Sequence, residues 1–192
     1  MQYNLDELRE KVRKFQKNER YEHTLGVMYT AASLAMRYGA NQQDALLAGL
    51  LHDCAKEFQP EEQKVLCKSY GISLTKEELA CPQLIHAKLG AYLAEHDYKI
   101  RNTEVLDAIR WHTTGRPDMT LLEKIIYIAD YIEPNRDKAP NLNQIRRLAF
   151  EDLDQCVYEV LQGTLNYLRN QGGTIDRMTE ETFLFYKQAL DV

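Results

Sequence analysis

An unbroken run of small and apolar residues, Leu46-Leu47-Ala48-Gly49-Leu50-Leu51, leads straight into the pair His52-Asp53. A one-sided surface helix carries polar residues at intervals. This run has none, so it reads as a helix buried on all sides. A charged Asp at the end of such a helix costs several kcal/mol unless something compensates, and a bound metal is one compensator. The pair alone is equally well read as a His and an Asp satisfied by ordinary hydrogen bonds, but it does not stand alone. His23, His86, His112 and Asp130 each lie in or at the edge of a different apolar-rich segment. Imidazole and carboxylate together suit iron, manganese, zinc or nickel. Six side chains exceed what one catalytic ion with an open position needs, and they suit two. Two ions roughly 3.5–4 Å apart can hold a bridging hydroxide and clamp a phosphoryl group for in-line attack.

The segments that carry these residues read as helices joined by short turns, with no alternating strand pattern. Asn4 caps a first amphipathic helix to about Lys17, with Glu7 placed as in a capping box. Leu5, Leu8, Val12 and Phe15 share one of its faces. A longer helix from Asn18 to Tyr38, stopped by Gly39, carries Arg20 and His23 one turn apart. His23 lies along the same stripe as Val27, Thr30 and Leu34. Asn41 caps the central helix, which is expected to run to about Lys56. Gln59-Pro60 opens a helix that stops at Gly71, and Thr75 with Glu78 makes a capping box for a short helix before Pro82. His86 heads an apolar segment that includes Leu89, Tyr92, Leu93 and His96. Asn102 opens the helix with Val105, Leu106, Ile109 and Trp111 inward, ending in Trp111-His112-Thr113-Thr114-Gly115. Thr120 caps a strongly apolar helix expected to end at Asp130. Three more helices, about 142–150, 154–170 and 179–190, hold no histidine and read as a packing or dimerisation layer. The fold class is therefore all-α, in about nine to eleven helices, and residues 1–192 read as one domain.

The bulk numbers agree with a soluble globular protein. Hydrophobic residues make up 44% and charged residues 28% of the 192, enough apolar material for a real core. The net charge of −5 argues against a general nucleic-acid binder, which carries a basic patch, but leaves room for a local basic pocket. Cys54, Cys67, Cys81 and Cys156 form no C-x-x-C pair and read as reduced core thiols of a cytoplasmic protein. No apolar run is long enough to cross a bilayer, and Met1-Gln2-Tyr3-Asn4-Leu5-Asp6-Glu7 lacks a signal-peptide core.

The order and spacing of His23, His52-Asp53, His86, His112 and Asp130 resemble the HD-domain superfamily of metal-dependent phosphohydrolases. The likeness extends to Arg20-Tyr21-Glu22-His23-Thr24, His52-Asp53-Cys54-Ala55-Lys56, Trp111-His112-Thr113-Thr114-Gly115 and Ala129-Asp130-Tyr131-Ile132-Glu133-Pro134-Asn135-Arg136. These look like the YqeK-type bacterial HD proteins over nearly the whole chain. The resemblance implies an HD-type helical bundle with a two-metal centre of divalent or mixed-valence ions, iron first and manganese or another transition metal as the alternative. It implies symmetrical hydrolysis of diadenosine tetraphosphate to two ADP. It also implies Asp53 as the bridging carboxylate, His23, His52 and Asp130 completing one metal position, and His86 and His112 holding the other.

Around these ligands the expected substrate contacts are Lys56, Arg20, Arg136, Thr113, Thr114 and Gly115, with Asp53 and Lys56 the catalytic pair. Each also has a plain reading. Lys56 could be a helix-end lysine, Arg20 and Arg136 solvated, and Gly115 a helix cap. His96, followed by Asp97, imitates an HD pair but has no partner series and reads as a surface residue. A nucleotide is the expected small-molecule partner, without nucleic acid or membrane, and a homodimer is expected through the last helices. Another nucleotide phosphatase, a phosphodiesterase, or a nucleotide-sensing scaffold without turnover would carry the same ligand set.

Overall fold

The computed structural model describes residues 3–139 and 141–191. Met1 and Gln2 of the N-terminal reading, with Pro140 and Val192, lie outside the described residues. Eleven α-helices are present among the described residues, and no strand. They are α1 (Leu5–Phe15), α2 (Asn18–Tyr38), α3 (Gln42–Leu51), α4 (Pro60–Ser69), α5 (Lys76–Ala80), α6 (Ile85–His96), α7 (Thr103–Trp111), α8 (Leu121–Ile132), α9 (Leu142–Glu151), α10 (Leu153–Gln171) and α11 (Arg177–Ala189). A 3-10 turn at Pro82–Leu84 leads into α6. No described helix is long and apolar enough to cross a membrane.

The helix starts follow from capping chemistry. Asn4, Asn41, Asn102, Thr75 and Thr120 each accept a backbone N–H of the first turn through the side chain. Such a cap typically contributes about 1 kcal/mol. Gly39 and Gly71 take positive φ where α2 and α4 stop, the conformation glycine adopts without steric cost.

Two helix ends differ from the sequence reading. α3 stops at Leu51, not near Lys56. Beyond it, Cys54 N–H bonds the Leu51 carbonyl at 3.1 Å and Lys56 N–H bonds the Asp53 carbonyl at 3.0 Å. These are the short-range bonds of tight turns. Gln16 Nε2 also donates to the Asp53 carbonyl, at 3.2 Å, which draws it away from a helical partner. α8 continues past Asp130 to Ile132. It ends because Glu133 precedes Pro134, which forces Glu133 into an extended conformation (ψ 152°).

The central helix is as enclosed as its composition demands. Ala45, Leu47, Ala48, Leu50 and Leu51 are all buried, with α3 packed against α2, α7 and α8. α8 is held in turn by α2, α7 and α10. Helices α2, α7 and α8 thus enclose α3, at whose C-terminal end His52 and Asp53 emerge.

Candidate metal centre

All six expected ligands meet at that point. Asp53 is buried, and its two carboxylate oxygens face different partners. On the Oδ1 side, His86 Nε2 lies at 3.1 Å and His112 Nε2 at 3.7 Å. On the Oδ2 side, His52 Nε2 lies at 3.6 Å and His23 Nε2 at 3.9 Å. Asp130 Oδ1 joins this second group, 3.1 Å from His23 Nε2 and 3.9 Å from His52 Nε2. Ligand atoms of His23, His52 and Asp130 all lie within 4.8 Å of one another, as do those of His52, Asp53 and His112.

The rings are oriented for coordination. His52, His86 and His112 each hold Nδ1 against the carbonyl three residues earlier: Gly49 at 2.8 Å, Gln83 at 2.6 Å and Ile109 at 2.7 Å. A carbonyl only accepts, so Nδ1 carries the proton and Nε2 presents its lone pair. His23 Nδ1 meets the Glu133 carboxylate at 3.1 Å instead. Among the described residues, Nε2 of His23 and of His52 is buried with no hydrogen-bond partner. The Nε2 atoms of His86 and His112 stand 3.2 Å apart, and two lone pairs so placed repel unless a cation lies between or beside them. A donor set of four imidazole nitrogens and two carboxylates, with orphaned nitrogens aimed inward, fits divalent transition-metal ions.

The electrostatics point the same way. Burial holds the pKa values of His52 and His86 down at about 4, so both are neutral and ligand-ready at pH 7. Burial works against the charge on Asp53, yet the surrounding imidazoles, His52 foremost, hold its carboxyl well below the usual range. Burial works against the charge on Asp130 too, yet His23 close beside it, with His52 and Arg136, holds its carboxyl low. Burial resists protonation of His23, but Asp130, Glu133 and Asp53 outweigh it and raise its pKa.

Above the cluster opens a cavity of about 900 Å³ lined by His23, His112 and Asp130 and, among others, Arg20, Thr113 and Arg136. Arg20 donates to Asp53 Oδ2 and Arg136 to Asp130 Oδ1, both at 2.8 Å. Lys56 stands beside His86, its Nζ 3.2 and 3.3 Å from the two ring nitrogens, and burial lowers its pKa. Three of the expected contacts, Lys56, Thr114 and Gly115, lie off the cavity lining. Thr114 is buried and donates to the Gly115 carbonyl at 2.9 Å. Gly115 takes positive φ (65°), and a Cβ there would meet Thr182 Cγ2 at 2.9 Å. Both shape the turn that carries His112 and Thr113.

Some site residues were not read from the sequence. Tyr127 and Tyr131 on α8, and Val160 and Thr164 on α10, line the cavity, so the last third supplies one wall of the site as well as packing. Glu133 belongs to the quoted Asp130–Arg136 segment, and its three-residue spacing from Asp130 was a usable signal. Gln16 had none. His96 lies on the surface, its ring stacked on Tyr92 at 3.9 Å and its Nδ1 against the Tyr92 carbonyl. His96→Ala is therefore expected to leave metal content unchanged and activity within about twofold, the range of a plain surface substitution. Paired metal and rate assays check this.

The HD-domain family model matches residues 20–135, which takes in every candidate ligand just described. The chain belongs to the HD-domain family. This HD chain is 41% identical over 173 residues to the symmetrical bis(5'-nucleosyl)-tetraphosphatase of Bacillus subtilis, covering 87% of each. It is 42% identical to the protein of that name from Halalkalibacterium halodurans, covering 89% of each. Among solved structures, a Clostridium acetobutylicum protein described as a predicted HD superfamily hydrolase involved in NAD metabolism superposes with a TM-score of 0.94. It is 36% identical, over 98% of this chain and 100% of that one. Membership in the HD family carries divalent-metal dependence with it, and the inward-facing imidazoles fit that requirement.

Proposed function

We propose that this HD protein is a two-metal phosphohydrolase that cleaves diadenosine tetraphosphate symmetrically to two ADP, with residues 1–192 acting as one catalytic domain. One observation carries the reading: the two oxygens of Asp53 divide four inward-facing imidazoles between them, beneath a cavity that bears two guanidinium groups. The names of the B. subtilis and H. halodurans relatives supply the substrate.

In this reading Asp53 would be the carboxylate shared by two ions. His23, His52 and Asp130 would complete one position, and His86 and His112 would hold the other. Two divalent ions, when bound, would supply Lewis acidity to phosphoryl oxygens and lower the pKa of bound water. The chain's own side chains do the positioning. Asp53 sets the spacing of the two positions. Arg20 and Arg136, already beside the ligand carboxylates, offer planar forks suited to bidentate grip on phosphate. Lys56 sets a point charge beside His86 for another phosphate oxygen, and Thr113 places a hydroxyl in the cavity wall. Thr114 and Gly115 support that turn. Water is added across the central P–O–P bond, and each ADP keeps two phosphates. Iron is the proposed ion, with manganese the alternative. With Cys54, Cys67, Cys81 and Cys156 free, a reducing cytoplasm is the proposed setting.

The test is elemental analysis of protein purified without chelator, paired with product analysis on diadenosine tetraphosphate and on a panel of mononucleotides and cyclic nucleotides. About two ions per chain and ADP as the sole product are expected. Two ions with faster cleavage of mononucleotides would move the assignment to a nucleotide phosphatase. Tight binding without turnover would favour a sensor. Arg136→Ala is expected to lower kcat/KM about 10- to 100-fold, the loss of charged hydrogen bonds to phosphate. Steady-state kinetics, with metal content measured in parallel, checks it.

A further inference from the structure

His23 differs from the other three ligand histidines in where it sits. His52 and His112 follow the last residues of α3 and α7, and His86 is the second residue of α6. At such ends a nearby carbonyl is free to take the Nδ1 proton, and the carbonyls of Gly49, Gln83 and Ile109 do so. His23 lies inside α2, where the carbonyls of neighbouring turns are already spent on the helix. Its Nδ1 partner has to come from elsewhere.

That partner is Glu133, which is 1% exposed. Its Oε1 lies 3.1 Å from His23 Nδ1, and its Oε2 accepts the Asn135 backbone N–H at 2.7 Å. Arg146 donates to the Glu133 carbonyl at 2.9 Å, fixing the backbone beneath it. Glu133 caps α8 one turn beyond Asp130, so a single helix end grips both nitrogens of one imidazole. Room for the carboxylate comes from Gly26, one turn after His23. A Cβ at Gly26 would collide with Glu133 Oε2.

We propose that Glu133 is the positioning residue of the His23 metal position, and that Gly26 is glycine to admit its carboxylate. Glu133 holds the proton on Nδ1, keeps the Nε2 lone pair aimed at Asp53 Oδ2 and Asp130, and makes the ring a stronger donor. Such partners to ligand histidines typically change metal affinity about 10- to 100-fold. The inference rests on the two-metal centre of the proposed function and is independent of its substrate.

The test measures Mn²⁺ and Co²⁺ affinity of the full chain by competition with a chromogenic chelator. The background is His86→Ala, in which only the His23 position is complete. Adding Glu133→Ala there is expected to weaken binding about 10- to 100-fold, with a changed Co²⁺ visible spectrum. Glu133→Gln keeps an oxygen to accept from Nδ1 and is expected to recover part of the loss. Gly26→Ala leaves Glu133 in the sequence, improves helix propensity, and is expected to weaken the same position. In a His23→Ala background, Glu133→Ala is expected to change affinity less than about twofold. A merely structural role would persist in that background. Equal affinity with and without Glu133 in the His86→Ala protein would overturn the proposal while leaving the centre intact. A wild-type protein that bound no ion would overturn both.

Discussion

Asp53→Ala is expected to lose both ions and turnover together, with kcat/KM falling at least about 1000-fold, equivalent to about 4 kcal/mol of transition-state stabilisation. The expectation follows from the two faces of one carboxylate. His86 and His112 stand on the Oδ1 side, and His23, His52 and Asp130 on the Oδ2 side. His52 stands near both groups but offers only Nε2, its Nδ1 being held by the Gly49 carbonyl, so removing Asp53 leaves two underpopulated ligand sets with no shared carboxylate. His86→Ala, by contrast, is expected to cost one ion and to spare the other. The fold should survive the loss of Asp53. His52 and His86, held at about 4 by burial, are neutral beside it at pH 7, and Arg20 keeps a third of its side chain in solvent, so none of these three is left as a stranded buried charge. Elemental analysis and thermal unfolding in chelator test both halves. Two retained ions in Asp53→Ala would remove the bridge from the assignment.

The helices were legible because their signals are local. Asn41, Thr75, Asn102 and Thr120 announce helix starts by side-chain chemistry that acts within one turn, and Gly39 and Gly71 announce stops in the same way. The end of α3 was not legible. His52 and Asp53 leave the helix under the pull of Gln16, which lies 37 residues from Asp53 in sequence, and no local signal encodes that. The site divides along the same line. The HD-domain ligands could be read as residue types at the edges of apolar segments, and the family pattern grouped them. The cavity wall could not. Val160 and Thr164 reach it because α10 packs along α8, and nothing in the sequence of α10 distinguishes a residue facing a cavity from one facing a core. Lys56, placed one turn after the pair on the assumption of a continuous helix, stands instead beside His86, because the tight turns after Leu51 redirect it.

Gly49→Ala is expected to destabilise the protein by about 2 kcal/mol and to disturb the metal centre with it. Gly49 marks the close approach of α3 to α2. A Cβ there would lie 2.7 Å from Met28 Cα, 3.1 Å from Met28 N and 3.3 Å from the Val27 carbonyl oxygen. These are backbone atoms of a long helix, with no flexible side-chain end to yield, so α3 has to move. Overpacking of this kind costs up to about 3 kcal/mol, and the better helix propensity of Ala returns roughly 1 kcal/mol. For a chain of this size the net loss corresponds to a fall in Tm of roughly 4–8 °C. The same glycine's carbonyl accepts from His52 Nδ1 at 2.8 Å. Pushing α3 off α2 therefore also separates His52 from His23, whose ring centroids are 5.4 Å apart, and weakens the position they share. Gly90 is the control. A Cβ there meets its neighbours at 3.5–3.6 Å, ordinary contact, so Gly90→Ala is expected to hold or raise Tm. If Gly49→Ala lowered Tm yet bound both ions at wild-type affinity, His52 would be travelling with α2 as a unit. The α2–α3 spacing would then set stability alone, and the ligand geometry would be fixed by the turns at the ends of α3, α7 and α8.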